Sequence, residues 1–128
     1  MPGRSERLPK EKAGVYLRKA EDFGVAMRAS LERGAWHGAT VTAVHCVISA
    51  CDAVCVHTLG ERSRGESHEQ LTLLLKRVGG DENVRQVAAV LQMKNVAEYE
   101  AREISPADAR DAVKRAERVL EWARAALG

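Results

Sequence analysis

The chain has 128 residues and a mass of 14.0 kDa, enough for one domain, and its 45% apolar and 30% charged residues allow a buried core beneath a hydrated surface. Its 20 basic and 18 acidic residues give a net charge of +2, which does not by itself indicate a nucleic-acid-binding protein. No stretch approaches the roughly 18–20 uncharged apolar residues of a membrane span, and three cysteines do not make a disulfide framework, so we expect a cytoplasmic protein without a membrane partner.

The N-terminal residues are basic and polar, and they lack the apolar segment of a secretory signal. We expect a flexible basic arm over residues 1–11 and a single domain over residues 12–128. A first helix is predicted up to about Arg33, because apolar residues recur there at steps of three and four and Gly34 follows as a helix terminator. Its apolar face comprises Tyr16, Ala20, Phe23, Met27 and Leu31.

The second predicted helix covers about Ala35–Leu59 and is apolar on nearly every side. Its interior, from Val41 to Val56, contains a single charged residue, Asp52. Such a helix is central in its domain or packs against a second subunit. We therefore expect a homodimer, because this apolar surface exceeds what short amphipathic neighbours obviously cover.

Three further helices are predicted over about Glu66–Val78, Glu82–Glu103 and Pro106–Leu127. Asp81 and Ser105 stand at the N-cap positions of the last two. Five helices with short connections predict an all-α fold, a single up-and-down bundle.

A stripe on the fourth predicted helix changes from apolar to polar along its length. At about 100° per residue its members share one narrow arc, with Tyr99 at the edge. The stripe runs through Val84, Val87, Ala88 and Leu91, and continues as Asn95, Glu98 and Arg102. Two interpretations have similar weight: a solvated helix end, or a polar pocket between helices.

A polar line also runs along the second helix, through Thr42, His45, Ser49 and Asp52. Unpaired burial costs such groups about 1–3 kcal/mol each, so each needs a partner or water. A satisfied internal hydrogen-bond line is favoured over catalysis. Two polar lines in one small bundle lower their desolvation cost by meeting, so we expect the Asn95–Glu98–Arg102 face to lie near His45 and Asp52.

Two other groups of residues raise the question of a metal or a catalytic site. Cys51 and Cys55 are one helical turn apart, but structural zinc normally needs a second such pair, so we expect no metal. Arg62, Arg64 and His68 lie in and after a charged loop and could bind phosphate. A solvated turn with balanced charges is the favoured interpretation of this group.

The succession of residues along the chain resembles HEPN proteins, a superfamily of small helical bundles. The resemblance covers roughly residues 12–127 and has no single diagnostic motif. It rests on Tyr16, Ala20, Phe23, Gly34-Ala35-Trp36, Ala43-Val44-His45, Ala50-Cys51-Asp52-Ala53, Gly60, Arg62, Gly65, His68-Glu69-Gln70-Leu71, Lys94-Asn95-x-x-Glu98-Tyr99, Ala109 and Ala116-Glu117-Arg118.

The resemblance implies a bundle of four or five helices that commonly dimerises. Many family members are ribonucleases or toxins, and others are partners of minimal nucleotidyltransferases. The family's catalytic signature is Arg-x(4–6)-His, and the corresponding stretch here is Lys94–Tyr99. Lys94 and Asn95 stand near the expected arginine, and Glu98 and Tyr99 stand where the histidine would be. This departure argues against ribonuclease activity, because tyrosine does not readily replace a histidine acid or base.

Three hypotheses follow. The first is a non-catalytic HEPN-like module that binds a nucleotide, RNA or a protein partner, such as a nucleotidyltransferase in a toxin–antitoxin-like pair, and needs no cofactor. Its candidate binding residues are Lys94, Asn95, Glu98, Tyr99, Arg102, His45 and Asp52. The second is a metal-independent ribonuclease with a displaced site at Arg62, Arg64 and His68. The third is a structural bundle that acts through protein contacts.

Overall fold

The computed structural model of the protein describes residues 5–64 and 70–128 in full, and the backbone but not the side chains of residues 68 and 69. In these residues, five α-helices of eleven or more residues, one α-helix of five residues, a 3₁₀ helix at Lys10–Lys12 and a two-stranded sheet make up the fold. The elements are β1 (Ser5–Arg7), α1 (Ala13–Glu32), α2 (Trp36–Leu59), β2 (Glu61–Ser63), α3 (His68–Val78), α4 (Asp81–Leu91), α5 (Lys94–Glu98) and α6 (Pro106–Leu127). The predicted all-α class is confirmed.

Helix α2 is the centre of the bundle. It packs mainly between α1 and α6, and α3, α4 and α5 also contact it. An 18-residue window of α2 has a mean hydropathy of 1.7, so by length and composition the helix could cross a membrane, and the sequence expectation that no stretch qualifies is wrong. However, 78% of that window is buried inside the fold, as in a core helix. The apolar surface that suggested a second subunit is thus largely covered within one chain.

The last helix follows the predicted pattern closely. Ser105 is its N-cap, Pro106 is its first residue, and the Ser105 Oγ accepts a hydrogen bond of 3.0 Å from the Asp108 backbone N–H. This bond satisfies one of the free N–H groups at the helix start. The core-facing side of α6 is buried at Ala109, Ala112, Val113, Ala116, Val119, Leu120 and Ala123.

The predicted fourth helix is not continuous. It divides into α4 and α5, and residues 99–105 are not helical. In a straight helix Val87 and Val96 would project about 180° apart, at about 100° per residue. The break after Leu91 allows both valines to be buried. The single arc proposed for residues 84–102 is therefore wrong beyond Leu91.

Two helix starts also differ from the sequence predictions. Helix α4 begins at Asp81 rather than after it, and its N-cap is Gly80, whose φ is 88°. Such a positive φ is readily adopted by glycine alone. Helix α3 begins at His68. Its predicted start at Glu66 lies outside the described residues.

The predicted arm and charged loop form a small antiparallel sheet. Its register pairs Ser5 with Ser63, Glu6 with Arg62, and Arg7 with Glu61. Gly60, with a φ of 69°, ends α2 and turns the chain into β2. An ion pair between Arg62 and Glu6 also joins the two strands, and helical periodicity does not predict this contact. Residues 1–4 of the arm and residues 65–67 lie outside the described residues.

Candidate functional site

The polar line of α2 is divided between two separate clusters. Towards the N-terminal half of the helix, the His45 cluster consists of His45, Lys94, Glu98 and Tyr99. Nearer its C-terminal end, the Asp52 cluster consists of Asp52, Arg62, Glu6 and Tyr16. His45 and Asp52 are seven residues apart, which is about 10 Å along a helix. The two clusters therefore use different partners.

In the His45 cluster, one carboxylate lies between two basic groups. The Glu98 Oε1 atom is 3.2 Å from His45 Nε2, and its Oε2 atom is 3.6 Å from Lys94 Nζ. The side chains of Lys94 and Glu98 are only 15% and 16% exposed, whereas that of His45 is 41% exposed. The short helix α5 thus places two charged residues, one turn apart, against the middle of α2.

Helix α1 fixes the imidazole from the other side. The Phe23 ring stacks on the His45 ring, with centroids 5.3 Å apart and planes inclined by 28°. The sequence analysis assigned Phe23 to the core face of its helix and missed this contact. Because His45 rests on an aromatic ring and beside a carboxylate, its orientation is set from two directions.

Tyr99 is the most exposed large side chain near this cluster. It is 71% exposed and follows directly after α5. The Lys94 Nζ atom lies 5.6 Å from the centroid of the Tyr99 ring, within the range of a cation–π contact. A free aromatic surface therefore stands next to a positive charge, an arrangement that can stack a planar ring and hold an anion.

The other two candidates on this segment do not join the cluster. Asn95 is exposed. Arg102 is exposed as well, and its guanidinium Nε lies 3.8 Å from Glu100. Its backbone carbonyl oxygen is 3.4 Å from His37 Nε2, at the start of α2. His37 and residues 100–103 line an open depression of about 280 Å³.

The Asp52 cluster is a closed ion-pair network. Arg62 donates one hydrogen bond of 3.2 Å to Asp52 Oδ2 and another of 3.3 Å to Glu6 Oε1. Its guanidinium lies 5.0 Å from the centroid of the Tyr16 ring. The Asp52 side chain is only 4% exposed. The sequence expectation that the fourth-helix stripe reaches both His45 and Asp52 is therefore correct for Glu98 and His45 but wrong for Asp52.

Burial dominates the electrostatics of Asp52. It raises the pKa of this carboxyl from 3.8 to about 6, against the opposing effects of Arg62 and Lys19. Burial also tends to lower the pKa of Arg62, but Asp52, Tyr16 and Glu6 together outweigh this effect and the pKa rises. Desolvation likewise raises the pKa of Tyr16, which Arg62 partly offsets. The cluster holds β1, β2, α1 and α2 together.

Of the displaced ribonuclease site, the structure describes the side chains of Arg62 and Arg64 but not that of His68. Arg62 binds two carboxylates, as stated above. Arg64 is exposed, directly after β2. The backbone of His68 begins α3, and its side chain lies outside the described residues. The guanidinium of Arg62 is thus engaged in ion pairs within the fold, whereas a substrate-binding arginine needs a free guanidinium.

The cysteines and the rest of the polar line have structural environments. Cys46, Cys51 and Cys55 are buried and free of disulfides. Burial raises the pKa of Cys46 and Cys55 to about 12, so their thiols are protonated near neutral pH. Thr42 donates a hydrogen bond of 2.7 Å to the Gly38 carbonyl of its own helix. No three His, Cys, Asp or Glu residues come together as a metal site within the ranges that the structure describes.

Comparison with known proteins agrees with the resemblance noted in the sequence. No curated protein matches this chain. The family model described as "HEPN domain" matches residues 13–126, which extends from the first residue of α1 almost to the end of α6. Because that match covers most of the chain, the protein belongs to the HEPN domain family.

Proposed function

We propose that this HEPN protein is a non-catalytic nucleotide-binding module whose site is the His45 cluster. One observation carries the proposal: the exposed ring of Tyr99 stands beside Lys94, and Lys94 and the half-exposed imidazole of His45 both contact the same carboxylate, that of Glu98. The ligand is a mononucleotide or the end of a short single-stranded RNA.

The chemistry of the cluster suits the two parts of a nucleotide. An aromatic ring stacks on any base, which stabilises binding by about 1–3 kcal/mol per base. An ammonium group and a protonated imidazole both donate to phosphate oxygens. Tyr99 would bind the base, and Lys94 and His45 would bind the phosphate. Where the family's signature has an arginine and a histidine, this chain has Lys94 and Asn95, and then Glu98 and Tyr99. These residues can bind a nucleotide, but they do not form the catalytic signature.

The environment of Arg62 supports the non-catalytic part of the proposal. Its guanidinium is neutralised by Asp52 and Glu6 and is half-buried over Tyr16. Freeing it for a substrate would leave Asp52 as an unpaired buried carboxylate, which is costly. A ribonuclease site that includes Arg62 would therefore require β1 and β2 to rearrange.

Protein partners are a separate part of the proposal. We infer from the family resemblance that the protein forms a homodimer and pairs with a nucleotidyltransferase in a toxin–antitoxin-like system. Co-purification of the tagged chain with a nucleotidyltransferase encoded beside it would test the pairing. A nucleotidyltransferase that elutes separately at micromolar concentrations would contradict it.

The test of the nucleotide site is direct titration with AMP, ATP and a short single-stranded RNA by calorimetry. We expect binding that Tyr99→Ala weakens about tenfold or more, as loss of a stacked base implies. Lys94→Met should weaken binding of AMP more than binding of adenosine, which is titrated in addition as the control ligand without a phosphate. Lys114→Met, on the exposed side of α6, is the matched control for charge and should change neither.

Two results would overturn the proposal. Failure of all three ligands to bind would refute the nucleotide site and leave protein contacts as the function. Cleavage of the RNA during the titration, lost in both Arg64→Ala and His68→Ala, would establish the ribonuclease alternative instead. The melting temperatures of Tyr99→Ala and Arg64→Ala should equal that of the unmodified protein, because Tyr99 and Arg64 are exposed.

A further inference from the structure

The position of Glu98 has a consequence for how an anion reaches the His45 cluster. Its two carboxylate oxygens lie at contact distance from the two basic groups, one oxygen for each. A phosphate group that bound Lys94 and His45 together would need the same space. This inference rests on the proposed function, because it concerns the same site.

We propose that Glu98 is a built-in occupant of the phosphate position, so that the site is autoinhibited until a phosphomonoester dianion displaces the carboxylate. A carboxylate and a phosphate both present oxygens with negative charge to such donors. With Glu98 in place, its charge cancels that of Lys94 and repels an approaching dianion. With Glu98 withdrawn, the Lys94 ammonium and the His45 imidazole are both free to contact the ligand.

The placement of Glu98 and His45 favours movement of Glu98 rather than of His45. Glu98 is the last residue of α5, which has only five residues, and the chain after it is not helical up to Ser105. His45, by contrast, lies in the middle of the 24-residue helix α2 and stacks on Phe23. A short helix end is a region of low local stability, whereas a central helix is not. The carboxylate can therefore leave while the imidazole stays.

The burial of the two charged residues makes the competition effective. Lys94 and Glu98 are both mostly buried, so solvent screens their attraction less than it screens that of a surface pair. The ligand must supply an interaction at least as favourable as the one it breaks. A dianion does so better than a monoanion, because it carries more charge. The selected ligand class is thus a terminal phosphate, as in a nucleoside monophosphate.

The experiment compares Glu98→Gln with Glu100→Gln. Both variants remove one carboxylate charge from the same segment, but Glu100 is half-exposed and interacts with Arg102 rather than with the cluster. Affinities for inorganic phosphate, AMP and adenosine are measured by calorimetry at pH 6.5. We expect Glu98→Gln to bind phosphate and AMP about tenfold more tightly than the unmodified protein, which corresponds to about 1.4 kcal/mol. Adenosine affinity should not change, and Glu100→Gln should behave like the unmodified protein.

A second variant and a folding measurement keep the result interpretable. Glu98→Ala removes the charge without the amide that glutamine adds, and circular dichroism melting shows which variants are folded. Tighter AMP binding by either folded variant supports the inference. Unmodified protein that binds AMP, with neither folded variant binding it more tightly, overturns the inference and leaves the proposed function intact. Failure of every form to bind AMP, adenosine and phosphate overturns both.

Discussion

Lowering the pH from 7 to 5 is expected to stabilise the native protein relative to its Asp52→Asn variant. Asp52 is nearly fully buried, and desolvation raises its pKa to about 6 although Arg62 donates a hydrogen bond to it. In the unfolded chain the same carboxyl has its ordinary pKa of 3.8. The folded state therefore binds a proton at a higher pH than the unfolded state does.

The sign and size of the effect follow from proton linkage. Between about pH 4 and pH 6 the folded state holds a proton that the unfolded state has lost, so the free energy of unfolding falls as the pH rises through this window. The whole difference of about two pKa units corresponds to about 3 kcal/mol. About 1 kcal/mol of it is recovered between pH 7 and pH 5, and most of the remainder by pH 4.

Urea unfolding of both proteins at pH 5, 6 and 7 measures this difference. Asparagine is nearly the same size as aspartate and does not titrate, so subtracting its curve removes the contribution of every other carboxylate. The unmodified protein should gain about 1 kcal/mol relative to the variant over that range. A constant difference, or a loss of stability on acidification, would refute the reasoning. It would show that the pairing with Arg62 outweighs the burial of Asp52.

Three further predictions concern the bundle itself. Val47→Ala should lower the free energy of unfolding by about 1–4 kcal/mol, because Val47 is fully buried in α2. Ile48 is half-buried, so Ile48→Ala should lower it by less in the same urea experiment. Ser105→Ala should lower the free energy of unfolding by about 1 kcal/mol, because the hydrogen bond that caps α6 at Asp108 is lost. Ser105→Thr keeps a hydroxyl at the cap and should retain most of that stability. The homodimer stays a prediction: light scattering should give twice the 14.0 kDa chain mass, and a concentration-independent value near the chain mass would contradict it.

Helix positions were predictable where a local signal and burial agree. Ser105 and Pro106 mark the start of α6 in the sequence, and the structure places the cap there. Gly60 ends α2 because its backbone adopts a positive φ. The break after Leu91 was not predictable in this way, because no glycine or proline stands there. It arises from the need to bury Val96 and Ile104, which is a property of the packed bundle rather than of the segment.

The site was predicted in part for the same reason. Helical spacing placed His45 on a face that had to find a polar partner, and the structure brings Glu98 to it from α5 rather than from one continuous fourth helix. Spacing could not identify Glu6 as a partner of Arg62, because the two residues are 56 positions apart and meet only through strand pairing. Asp52 could not be assigned to one cluster or the other from its own helix, since the decision depends on where Arg62 lies.

The polar line of α2, which is continuous in the sequence, divides in the structure into a buried cluster at Asp52 and a partly exposed cluster at His45. Asp52 is buried and has a dedicated cation, so its cluster can hold β1 and β2 but offers little to a ligand. His45 is 41% exposed, and its carboxylate partner comes from a helix of five residues. A buried group with a fixed partner, such as Asp52, suits a structural role. A partly exposed group whose partner lies on a short helix, such as His45, can exchange that partner for a ligand. The accessible half of the line is therefore the half in which binding can occur.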